Sequence, residues 1–134
     1  MQTKKLGIEI NQNTDFYLVI QLNGQDGPLD LTGYQLLGQV RDNTGPTSQL
    51  IAEFVFTILD QTMPETLGQV AWSLPVANDG ESEITTSTAF ALVKKRQQTP
   101  FVYDVKMKDT SGKVSRIVEG LVYVSPEATQ EAFT

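Results

Sequence analysis

The side chains that most often carry chemistry are missing from this chain. It contains no cysteine and no histidine. Thiolate nucleophiles, disulfides and the commonest metal ligand are therefore absent, and proton transfer would fall to carboxylates, lysine or tyrosine. Oxygen-bearing clusters are the next candidates. Asn11, Asn13 and Asp15 mimic the opening of a calcium-binding loop, but Phe16 stands where that loop needs glycine and Leu22 where it needs a bidentate glutamate. A polar turn accounts for them more simply. Asp79, Glu81 and Glu83 offer carboxylate oxygens to a hard cation, and the same spacing makes an ordinary solvated loop. Two carboxylates flanking a cleft could cleave a glycosidic bond, yet the acids fall mostly at turns or outward strand positions and single out no pair. GxSxG, SxxK, phosphate-cradling glycine loops and paired-histidine motifs do not occur. No residue is assigned a catalytic, metal-binding or cofactor-binding role, no cofactor is expected, and the expectation is a protein that is not an enzyme.

Two features suit binding instead. Lys94, Lys95 and Arg96 form the one basic cluster. It would dock an acidic partner or simply complement the negative end of a helix. Tyr17, Tyr34, Tyr103 and Tyr123 could stack on sugar rings or pack as ordinary strand residues. Ten basic against sixteen acidic residues leave a formal charge of -6, which repels phosphate backbones, so nucleic acid is not an expected partner. No apolar run approaches the roughly 20 residues that span a bilayer, and the opening residues lack the apolar core of a signal peptide. Neither membrane insertion nor export by that route is expected.

The elements that would position these residues are mostly strands. At 134 residues the chain fits one domain. Leu6, Ile8 and Ile10 alternate with polar residues or glycine, and residues 16–22 (FYLVIQL) are β-branched and aromatic. Residues 23–28 (NGQDGP) concentrate turn chemistry. Further two-residue alternation marks Tyr34 to Val40, Ala52 to Ile58 and Val70 to Leu74, with Trp72 a core anchor. Residues 75–100 break the rhythm as an extended connection, with one short helix expected in AFALVKKRQQTP between a Ser87 or Thr88 cap and Pro100. Residues 125–134 form a tail, where Ser125 and Pro126 suit the start of a brief helix.

Residues 101–124 read as a long hairpin about Asp109, Thr110, Ser111 and Gly112. The returning strand is apolar on both faces, with Val118, Val122 and Val124 on one and Ile117, Leu121 and Tyr123 on the other. Simple pairing about that turn sets Tyr103 opposite Val118 and Val105 opposite Arg116, which would send a guanidinium into the core at high cost. A β-bulge near Arg116 would turn it outward, towards Asp104. About seven short strands with one short helix point to an antiparallel β-sandwich.

Several pieces in this order resemble an immunoglobulin-like domain of tailed-phage virion proteins, found in baseplate upper proteins and at the start of tail-fibre proteins. They are DF at 15–16, DGPLDLTGY at 26–34, QVR at 39–41, GQV at 68–70, YDV at 103–105, SGKV at 111–114 and GLVYV at 120–124. The resemblance implies an immunoglobulin-like fold and a non-enzymatic building block of the virion, assembled in the host cytoplasm. It would act as an adaptor of the tail, baseplate or fibre-attachment region, in multiple copies and through protein–protein contacts. Residues 75–100 depart from that family's shorter connection. A capsid decoration subunit and a carbohydrate-binding module for host recognition are the alternatives. The side chains placed at a partner interface are Ile117, Leu121, Tyr123 and Phe133, with Lys94, Lys95 and Arg96.

Overall fold

Every described segment with apolar residues at alternate positions is a strand, and none of the described residues is helical. The computed structural model describes residues 3–11, 15–74 and 101–125, with side chains as far as Tyr123. The expected helices in residues 75–100 and after Ser125 lie outside them. The strands are β1 (Lys4–Lys5), β2 (Ile8–Asn11), β3 (Phe16–Gln21), β4 (Asn23–Gly24), β5 (Gly27–Pro28), β6 (Gln35–Arg41), β7 (Leu50–Glu53), β8 (Val55–Ile58), β9 (Gln69–Leu74), β10 (Phe101–Lys108) and β11 (Val114–Ser125).

They form two main sheets. In the larger, β7, β6, β10 and β11 are antiparallel neighbours, while β1 and β2 run in succession along the far side of β11 and parallel to it. The smaller is the antiparallel order β3-β9-β8. The short ribbon β4–β5 turns through Gln25 and Asp26. The protein is thus all-β, but the larger sheet is mixed where alternation had suggested purely antiparallel pairing. The chain lays its first residues beside its last strand, and that neighbour runs in the same direction.

The inner faces of the two sheets share one core. Trp72 on β9 is fully buried, with ring centroids 5.1 Å from Phe54, 5.7 Å from Phe16 and 5.5 Å from Tyr103 on β10 of the opposite sheet. Val70, Leu74, Val40, Val105, Val122 and Ile10 close around this cluster. The alternation across residues 50–58 reads as one strand, yet it breaks at Phe54. The Phe54 N–H donates to the Gly38 carbonyl at 2.9 Å. Before it, β7 pairs with β6; after it, β8 pairs with β9. One run of chain therefore crosses from sheet to sheet and ties the two together.

The β10–β11 hairpin resolves the conflict at Arg116. Asp109 N–H donates to the Lys113 carbonyl and Gly112 N–H to the Asp109 carbonyl, with Gly112 at φ 91°. The loop is thus one residue longer than the four-residue turn expected, with glycine in the left-handed position that a bulged three-residue hairpin tip requires. Val105 then faces Val118 and Lys106 faces Arg116, which leaves Ile117 unopposed as a β-bulge. Tyr103 pairs with Gly120 and not with Val118. Arg116 points outward, its Nε 3.3 Å from Asp104 Oδ2.

Loops repeat one device. Asp30, Asp60 and Asp109 each accept, through Oδ1, the N–H and the hydroxyl of the residue two positions on, Thr32, Thr62 or Ser111. These hydrogen bonds, led by the one from the hydroxyl, hold all three carboxyls below their ordinary value of 3.8. Gln61 joins two loops: its Oε1 accepts from Leu31 N–H at 2.8 Å and Gly68 N–H at 3.0 Å, while its Nε2 donates to the Leu59 and Thr66 carbonyls.

Candidate functional site

The residues set aside at the sequence level as interface candidates separate sharply in the structure. Ile117 is only 2 % exposed, because the bulge that turns Arg116 out turns Ile117 in beside Val118. It belongs to the core and is withdrawn as a contact residue. Leu121 and Tyr123, past the bulge, keep their outward direction and are 42 % and 40 % exposed. Lys94, Lys95, Arg96 and Phe133 lie outside the described residues, as do Asn13, Asp79, Glu81 and Glu83.

Leu121 and Tyr123 stand on the outer face of the larger sheet. Across the strands Leu121 faces Val102 on β10, and Val102 in turn faces Arg41 on β6. The next row is Glu119, Asp104 and Gln39. Glu119 accepts from Lys5 and, at 3.0 Å, from Arg116, whose other side meets Asp104. The hydrogen bond from Lys5, seconded by Arg116, holds the Glu119 carboxyl below its usual range. Arg41 donates from Nε and Nη2 to Gln39 Oε1 and from Nη1 to the Ser48 carbonyl. The face is hollowed into an open trough of about 600 Å³ between loop residues 43–48 and Leu121. It is a broad surface of paired charges with an apolar strip along one side, a pattern suited to contact with another protein.

The N-terminal edge of this face depends on one close approach. Gly120 lies against the Leu6 backbone, and a Cβ there would come 2.0 Å from the Leu6 carbonyl oxygen. Into the same carbonyl Tyr103 donates its hydroxyl at 2.6 Å, and Leu6 N–H donates to Glu119 at 2.9 Å. Burial raises the Tyr103 hydroxyl to a pKa of about 12 from 10.0. A raised pKa favours the neutral folded form, so its contribution is complete below pH 10 and is lost as the pH climbs through about 12. Urea titrations between pH 9 and pH 12 are expected to show stability falling from about pH 10 upward, with a smaller fall in Tyr103→Phe. An equal fall in Tyr103→Phe would assign it to other groups.

The four tyrosines do not converge. Tyr103 is buried, Tyr34 packs against the core, Tyr17 is exposed on the smaller sheet and Tyr123 on the larger. Among the described residues no group of three carboxylates is placed to hold a metal ion. Gly120 and Gln61 escaped the sequence reading. A glycine inside a strand is the signal of close backbone approach, but the approaching residue is unmarked. Comparison with known proteins finds no matching family and no matching curated protein.

Proposed function

We propose that the chain is a structural subunit of a tailed-phage virion, an immunoglobulin-like adaptor of the tail, baseplate or fibre-attachment region that works through protein–protein contacts. The observation that supports the immunoglobulin-like part of this reading is the strand order. An immunoglobulin-type sandwich sets strands B, E and D against C, F and G, and its variable form adds C′ beside C. Taking β3, β6, β7, β8, β9, β10 and β11 as B, C, C′, D, E, F and G reproduces both groupings, B-E-D in one sheet and C′-C-F-G in the other. Such a fold serves many functions, so the role rests on the resemblance in the sequence and on the surface. Leu121, Tyr123 and Val102 supply an apolar strip beside the paired charges of Lys5, Glu119, Arg116 and Asp104, a pattern suited to a contact surface.

The test is incorporation. Both side chains are exposed, so Leu121→Asp with Tyr123→Asp is expected to keep its circular dichroism spectrum and a near-native melting temperature. Its content in purified particles is expected to fall about tenfold or more, as when central apolar contacts of an interface are replaced by charge. Incorporation at the level of the unmodified chain would refute the surface, and absence of the unmodified chain from particles would refute the function.

A further inference from the structure

Sheet edges are ordinarily protected against pairing with other chains by shortness, charge, proline or bulges. Among the described residues, three of the four edges of the two main sheets carry such protection. The outer side of β11 is covered by β1 and β2, which present Lys4 and Lys5 and break step at Leu6 and Gly7. Strand β7 has four residues, ends in Glu53 and shifts register against β6. Strand β8 has four residues. The exception is β3, Phe16–Gln21: six residues, FYLVIQ, without charge or proline, in unbroken register with β9. Among the described residues no strand flanks its other side.

Two further observations concern the same edge. Phe16, Leu18 and Ile20 point to the core but are only half-buried, whereas their partners Leu74, Trp72 and Val70 are fully buried. Among the described residues nothing completes the cover of the core along β3. The outward positions of this sheet are Tyr17, Val19 and Gln21 on β3, Gln69, Ala71 and Ser73 on β9, and Val55 and Thr57 on β8. None is charged, although a protein surface usually carries charge at a quarter to a third of its positions.

We infer that β3 is a self-pairing edge, and that two copies of the chain join antiparallel through it into one continuous six-stranded sheet. A second copy is the occupant that the residues favour. Placing the two-fold axis at Val19 sets Leu18 opposite Ile20 and Val19 opposite its own copy, so that apolar residues face apolar ones, and sets Tyr17 opposite the uncharged Gln21. No charge meets a charge, the condition for bringing together two chains that each carry a formal -6. The added strand also covers Phe16, Leu18 and Ile20. This inference does not depend on the virion assignment, since it concerns the purified chain alone.

Sedimentation velocity of the full chain across a concentration series tests it. The sedimentation coefficient is expected to rise towards that of a dimer. Val19→Lys, at an exposed position, would place two lysines face to face and raise the dissociation constant about tenfold or more. The chain has no cysteine of its own, so Val19→Cys gives a single-site probe. Opposed Cβ atoms at the axis would lie about 4.5 to 5.5 Å apart, so that a small approach of the two edges brings them within disulfide range. Val19→Cys is expected to form a covalent dimer on mild oxidation, while Tyr17→Cys, which faces Gln21 of the other copy, is not. A monomer at every concentration, as when another segment or another protein covers β3, overturns the inference. So does a dimer that survives Val19→Lys and that Val19→Cys fails to cross-link.

Discussion

Gly120→Ala is expected to lower stability by about 3 kcal/mol, the sum of a forced backbone displacement and a buried hydroxyl left without its acceptor. The added methyl would sit 2.0 Å from the Leu6 carbonyl oxygen and 2.7 Å from its carbon. Backbone cannot rotate out of the way as a flexible side chain can, so the segment carrying Leu6 must leave β11. Its departure breaks the Leu6 N–H bond to Glu119 and removes the acceptor of the Tyr103 hydroxyl. The separate pairing of β2 with β11 at residues 122–125 then has no lead-in from β1. Urea unfolding would measure the loss, and amide exchange would localise it, with protection lost first in β1 and β2. Unchanged exchange in those strands would show that the contact at Gly120 does not hold them.

Trp72→Ala is expected to be the most costly single change, about 4 kcal/mol, as for deletion of a fully buried indole. Phe16, Phe54 and Phe56 from the smaller sheet and its crossing strand all pack on this ring, and Tyr103 packs on it from the other sheet. Its removal takes away the contact that the two sheets share. The indole Nε1 has no acceptor among the described residues, so Trp72→Phe would lose area without losing a hydrogen bond and is expected to cost well under half as much. Equilibrium denaturation followed by circular dichroism compares the two. Equal losses would show that a phenyl ring recovers none of the packing of the indole.

Much of this fold is legible in the two-residue alternation, because a half-buried strand must place apolar residues on one side only. The bulge at Ile117 is the clearest case. Simple pairing drives Arg116 into the core, and the electrostatic cost of that position announces an irregularity in the sequence itself. Which residue the bulge would bury was not legible: the extra residue inverts the faces on one side of it, and so Ile117 entered the core while Leu121 and Tyr123 stayed outside. The crossing at Phe54 was hidden for a related reason, since alternation continues unbroken when a strand leaves one sheet for another. The parallel placement of β1 and β2 depends on a glycine far along the chain, and Gln61 acts through four loop groups that carry no local pattern. Long-range contacts of this kind arise from tertiary fit, to which local propensity is indifferent.

The surface follows the same division. On the strand of residues 114–124, Val118 and Val122, with Ile117 at the bulge, fill the core, while Leu121 and Tyr123 turn outward. Under the proposed function that outward pair, 42 % and 40 % exposed, is the part a neighbouring chain covers. Near-atomic electron microscopy of intact particles tests that account most directly. Repeated copies of the chain are expected there, each with Leu121 and Tyr123 buried against a neighbouring virion protein. Particles without the chain, or with both side chains facing solvent in every copy, would contradict it.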